Sequence, residues 1–197
     1  MHNTIKILLL CTTFFFAYPS EIAAQKKRNR VQKHIKKHHK KQVKHLSHHR
    51  YRHLPRRGKI VRRLGVGAVN INFNGAKLFV HNGVWYQPSS KRNRFVVVKA
   101  PIGIRIHRVP FPNRPKIIVN KNAYYYYYGT FYEKVVNTNA EEYVVVKAPI
   151  GAKIDALPEG YDTVDVNGIT YYRFDDIHYK FIQNSDTDAY FIVTKAP

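Results

Sequence analysis

The sequence predicts an all-β protein built from three tandem units of about 48 residues, each with about five short strands. Three observations predict it. FVVVKAP (95–101), YVVVKAP (143–149) and FIVTKAP (191–197) recur with Lys99, Lys147 and Lys195 spaced 48 residues apart. Val69–Phe73, Leu78–Val80 and Val164–Val166 show the period-2 alternation of β-branched and aromatic residues that suits a half-buried strand. Asn74-Gly75, Asn82-Gly83 and Asn167-Gly168 separate such runs and supply the positive φ of two-residue hairpin turns.

Two segments precede the units. Residues 1–24 read as a secretory signal peptide, with Lys6 in the n-region, an apolar stretch over Ile7–Ala17, and cleavage expected after Ala24. That stretch is shorter than the roughly 20 residues of a membrane span, so the mature chain is expected to have no transmembrane segment. Cys11 is the only cysteine, which excludes a disulfide framework and a cysteine-built zinc site. Lipid attachment at Cys11 is disfavoured because Leu10 before it is not small. The protein is therefore expected to be exported, to the periplasm, the outer-membrane surface or the extracellular medium.

Residues 25–54 read as a basic, His/Lys-rich arm. Positions 25–53 hold 12 Lys+Arg, 7 His and no acid, with few apolar residues: Val31, Ile35, Val43, Leu46 and Tyr51. So little apolar surface does not offset chain entropy, and a disordered arm is expected. The whole chain carries a formal charge of +22. Its excess falls from +12 over 25–53 to +10 over 54–101, +4 over 102–149 and −4 over 150–197. This lopsidedness favours anionic envelope polymers or lipid headgroups as partners of the arm. Nucleic acid is not expected for an exported chain. On a helix, His34, His38, His45 and His49 fall within an arc of roughly 60°, and the two i,i+4 pairs have metal-chelating spacing. Nearby lysines repel a cation and no carboxylate supports the imidazoles, so metal binding is a weak expectation and no cofactor is predicted.

The β-units span 55–101, 102–149 and 150–197. A second element links them: PIGIRIHRVP (101–110), PIGAKIDALP (149–158) and PRRGKIVRRL (55–64), the last with one extra residue before Gly58. Ala-Pro ends each VVVKAP strand because proline cannot donate to a ladder. A short strand follows, ending near Val109-Pro110 or Leu157-Pro158. Asn120-Lys121 and Tyr128-Gly129 occupy the turn positions of the second unit and are looser matches to hairpin chemistry. Such units suit SH3-like small barrels or meanders that pack on one another, since one alone buries too little surface. A β-trefoil is the alternative architecture, and a three-bladed propeller is disfavoured.

YYYYYGTFY (124–132), YVVVKAPIGAKIDALPEGY (143–161) and VNGITYY (166–172) resemble a family of secreted, tyrosine-rich bacterial domains of unknown function. Its members carry YYYY-x-G-x-FY and VV-x-AP-x-GA-x-V-x-x-LP-x-GY blocks. The resemblance covers 101–197 well, while the first unit departs from it at Phe79, Val80 and the missing Leu-Pro. It implies an envelope location and a β fold, and it supplies no catalytic residues.

No catalytic constellation is legible. The NSDTD run, with Asn184, Asp186 and Asp188, has alternate calcium-loop spacing but lacks the following glycine and a distant glutamate. Ser185 has no histidine near it in sequence, and His178 sits at a strand position matching Trp85 and Phe131. Tyr124, Tyr126 and Tyr128 are expected in the core. Tyr125 and Tyr127, extended by Trp85, Tyr171 and Tyr172, form a candidate aromatic face for a glycan or peptide. The expected function is that of an exported, non-enzymatic, structural or adhesive envelope protein. The alternatives are an SH3-like carbohydrate or peptidoglycan reader using the tyrosine face, a hydrolase, and a His-rich metal-binding protein.

Overall fold

A computed structural model describes residues 2–90, 93–107, 115–137, 140–185 and 188–197, with the side chains of 2–20, 137 and 140 left undescribed. Val109-Pro110 and Asp186 lie outside the described residues. The described residues form one helix, α1 (His2–Tyr51), and fifteen strands in three five-stranded antiparallel sheets. The first sheet comprises β1 (Ile60–Val61), β2 (Val69–Phe73), β3 (Ala76–His81), β4 (Val84–Pro88) and β5 (Phe95–Val98). The second comprises β6 (Arg105–Ile106), β7 (Ile117–Val119), β8 (Asn122–Tyr127), β9 (Thr130–Asn137) and β10 (Ala140–Val146). The third comprises β11 (Lys153–Ile154), β12 (Asp162–Val166), β13 (Ile169–Phe174), β14 (Ile177–Gln183) and β15 (Ala189–Thr194). Each sheet falls within one sequence repeat.

All three sheets have the same order, β1-β5-β4-β3-β2 in the first and its equivalents in the others. Four strands meander, and the short first strand returns to pair outside the last. β1 and β2 therefore lie at opposite edges without pairing, so each sheet is open. The meander expectation holds. A closed SH3-like barrel does not form, and three separate sheets exclude a trefoil. The short strands also end sooner than expected, β11 at Ile154, because Leu157 beyond it turns into the core at 0% exposure.

The repeat is visible atom by atom. Gly58 N donates to Val97 O at 2.9 Å and Val97 N to Lys59 O at 3.0 Å. Gly103 N donates to Val145 O at 2.8 Å and Val145 N to Ile104 O at 2.9 Å. Gly151 N donates to Val193 O at 2.9 Å and Val193 N to Ala152 O at 2.9 Å. The degraded PRRGKI element thus does the same job as the two PIG elements, despite its extra residue. All six tight turns place two successive residues at positive φ, including Asn120-Lys121, Tyr128-Gly129 and Asp175-Asp176. The second unit's turns are therefore not looser; ladder pairing on both sides holds ordinary residues in a conformation they adopt reluctantly.

The sheets bury their faces against one another. Tyr132 and Val145 of the second unit pack with Leu78, Val80 and Trp85 of the first. Tyr126 and Phe131 pack with Tyr172, Phe174 and Phe191 of the third. Such sharing solves the small-core problem of a 48-residue unit.

The arm departs from expectation. It is helical through Tyr51, and its last turns belong to the β body, since the chain divides into compact bodies Met1–Gln42 and Val43–Pro197. Two physical causes account for this. Between Pro19 and Pro55 there is no glycine or proline, and Lys, Arg, Gln and Leu favour helix. Val43, Ser47 and Tyr51 recur every four residues on one stripe and are 0%, 1% and 2% exposed. Val43 and half-buried Leu46 join the cluster of Tyr126, Leu157 and Tyr179. Tyr51 packs edge-on to Tyr128 at 5.5 Å and Tyr127 at 6.2 Å. Around this docked end, Arg50 pairs with Asp155, and Arg56 and His48 both reach Glu159. Hydrogen bonds from Arg56 and then His48 hold the Glu159 carboxyl below its ordinary range. The basic segment that precedes this end is Gln25–Gln42, with every side chain from 25 to 38 exposed.

Candidate functional site

One residue breaks the repeat where the three β-units meet. Ile102 and Ile150 precede the second and third copies of the strand-pairing glycine, whereas Arg57 precedes Gly58. Its Nε donates to Asp175 Oδ2 at 2.8 Å, Nη1 to the Val98 carbonyl at 2.9 Å, and Nη2 to the Tyr128 carbonyl at 3.3 Å. The guanidinium carbon also lies 5.2 Å from the Tyr128 ring centre and 5.4 Å from that of Phe174. Arg57 and Asp175 side chains are 15% and 12% exposed, so the pair is partly desolvated and satisfied on several sides. Burial pushes the Tyr128 phenol up to about 12, with Arg57 acting against that rise. Arg57 is a clamp from the first unit onto the other two.

Beside the clamp lies an open cleft of about 380 Å³. Lys99, Lys147 and Lys195 all line it, so the repeat lysine of every VVVKAP strand reaches one place. The topology explains why. Each lysine directly follows the last residue of β5, β10 or β15, and the three sheets meet at those strand ends. Lys99 Nζ donates to the Asp175 carbonyl at 3.0 Å and lies 3.3 Å from Asp176 Oδ2. Among the described residues, no carboxylate pairs with Lys147 or Lys195. With Asp175 engaged by Arg57 and Asp176 by Lys99, the cleft keeps an excess of positive charge. Ile102 and Ile150, 49% and 51% exposed, form its apolar lip.

The residues singled out in the sequence as an aromatic face fall elsewhere. Trp85 is 0% exposed and its Nε1 donates to Tyr132 Oη at 3.1 Å, an internal bond between the first and second units. Burial pushes Tyr132 up to about 12. Tyr172 is 3% exposed in the third unit's core, and burial carries its phenol up to about 12 as well. Tyr125, Tyr127 and Tyr171 are half-buried, the first two packed on the Trp85 cluster. Tyr126 and Tyr128 are buried as expected, but Tyr124 is only partly so. The strand alternates correctly, yet a neighbouring unit packs against the face assigned to ligand. The binding-face expectation is corrected for Trp85 and Tyr172, whose side chains are buried between and within the units.

His34 and His38 are exposed in the first body, while His45 and His49 lie in the second with ring centres 6.2 Å apart, edge to face. Among the described residues, no group of three or more His, Cys, Asp or Glu side chains is placed to hold a metal ion. His178 is half-buried and lines the lysine cleft. In the NSDTD run, Asn184 Nδ2 donates to Asp188 Oδ2 at 2.7 Å. Sequence reasoning used the three lysines only as markers of the period. The signal that pointed to them was a charge repeated three times at a position where strand chemistry requires none.

Fold and surface together define a three-unit β-repeat protein with an exposed cationic segment and a basic cleft where the units meet. Residues 27–196 match the family described as "Family of unknown function (DUF6515)", and the chain belongs to that family. Comparison with curated proteins and with solved structures gives no match. Among the described residues, no helix is long and apolar enough to cross a membrane.

Proposed function

We propose that this is an exported, non-enzymatic envelope protein whose cationic segment adheres to anionic polymers or lipid headgroups while the β body acts as a structural module. One observation carries the reading: Gln25–Gln42 holds 9 Lys+Arg and no acid, and its side chains are almost all exposed. Each Lys or Arg near an anionic surface contributes about 1 kcal/mol, and a few simultaneous contacts suffice for adhesion. The signal-peptide pattern of 1–24 and the resemblance to secreted tyrosine-rich bacterial domains support the compartment. The large shared core supports a structural role for the β body, because its aromatic residues are spent on joining the units.

A pulldown of the full chain against isolated envelope polymers at two salt concentrations tests this. The screening length shrinks from about 10 Å at 0.1 M salt to about 3 Å at 1 M, so charge-driven capture should collapse at the higher value. Capture that survives unchanged would reject the electrostatic reading.

A further inference from the structure

We infer that the cleft formed by Lys99, Lys147 and Lys195 is an oxyanion-binding site that accepts a phosphate or carboxylate group attached to a carbon chain. This goes beyond the proposed adhesive segment, since the cleft lies wholly within Val43–Pro197 and uses none of the arm's residues.

Three features converge. The same lysine recurs at 48-residue spacing, and the arrangement of the sheets brings all three copies to one cleft. Two of them, Lys147 and Lys195, line the cleft, are exposed, and have no carboxylate partner among the described residues. Lys99 is fixed by the Asp175 carbonyl and Asp176, which orients one ammonium and neutralises Asp176. The remaining charge sits beside Ile102 and Ile150, whose exposed side chains would lie against the carbon portion of the ligand. A low-dielectric lip also strengthens attraction between the ammonium groups and an anion over its value in open water. The volume of about 380 Å³ suits one such group and a short stretch of chain.

Strand termination does not account for the lysines, because Ala-Pro already performs it. A solvated lysine at each strand end would serve folding equally well on separate parts of the surface. What needs explaining is that all three line one cleft.

The test is backbone-amide NMR on the full chain, titrated separately with inorganic pyrophosphate and with soluble dihexanoyl phosphatidylglycerol. Saturable shifts at Ala100, Ala148, Ala196 and Gly129 are expected with at least one probe. The pyrophosphate arm reports a free or polymer-borne phosphate, and the lipid arm a headgroup. Lys147→Gln with Lys195→Gln should keep the melting temperature and weaken binding at the cleft by about tenfold or more. Lys147→Arg with Lys195→Arg should retain it. Shifts confined to residues 25–42 would overturn the cleft and leave the adhesive segment intact. Shifts at the cleft without any in 25–42 would do the reverse. Equal binding by the glutamine variant and the parent would also overturn the inference.

Discussion

Gly129→Ala tests how the second and third β-units are joined. Gly129 has φ +79°, in the left-handed region, and a Cβ built there lies 2.3 Å from Phe174 Cε1 and 2.8 Å from Cδ1. Phe174 is 3% exposed, wedged among Tyr126, Phe131 and Tyr179, so its ring has nowhere to retreat. An L-residue in this conformation costs about 1–2 kcal/mol. Forcing a methyl group into a packed core adds about 1–3 kcal/mol. Gly168→Ala is the matched control, since Gly168 has φ +80° and nothing within 4 Å of its added Cβ. Gly168→Ala should therefore lose only the backbone part. Unfolding in urea, followed by tyrosine fluorescence and far-UV circular dichroism, should show Gly129→Ala less stable than Gly168→Ala by about 1–3 kcal/mol. Adding Phe174→Leu should narrow that gap, because the two sites couple through one contact. Equal losses for the two alanines would refute the argument that the Tyr128-Gly129 turn is wedged against the third unit.

Arg57→Met should destabilise the β body by about 3 kcal/mol, because it leaves Asp175 partly buried without its partner. Arg57→Met with Asp175→Asn should recover part of that loss in the same thermal melt. Burial raises the phenols of Tyr128, Tyr132 and Tyr172 to about 12. Their contribution is complete below the unfolded pKa of about 10 and is lost as pH rises toward the folded value, at about 1.4 kcal/mol per pH unit for each. Tyrosinate absorbance and circular dichroism should therefore change together in one alkaline transition; full titration of every tyrosine near pH 10 with the fold intact would contradict this. Val43→Ala should lower stability by roughly 2 kcal/mol through lost apolar burial, whereas Lys33→Ala should leave the melt unchanged.

The period, the strand positions and most turns were legible because they depend on local chemistry. Asn-Gly needs no distant partner to form its turn, and Ala-Pro ends a strand by itself. The docked end of the helix was not legible. Val43, Leu46, Ser47 and Tyr51 are scattered among basic residues, and the surface they need is made by Tyr126, Tyr128 and Leu157, far along the chain. The aromatic run shows the same division. Alternation correctly placed Tyr126 and Tyr128 inward, but nothing local to Tyr125 announces that the Trp85 cluster covers its side. Nothing local marked Arg57, which stands where the other copies have isoleucine, and its role appears once Asp175 and Tyr128 are brought to it. The three lysines were conspicuous in sequence, while their meeting point depends on how the sheets pack.

The measurement that bears most directly on the proposed function is cosedimentation with vesicles containing anionic lipid, at about 0.05 M and about 0.5 M salt, which differ about threefold in screening length. The full chain is compared with a variant in which the 9 Lys+Arg of Gln25–Gln42 are replaced by Gln. The account predicts strong binding of the full chain at low salt, little at high salt, and little by the variant at either, with the melting of the β body unchanged. Binding by the variant equal to that of the full chain would contradict it.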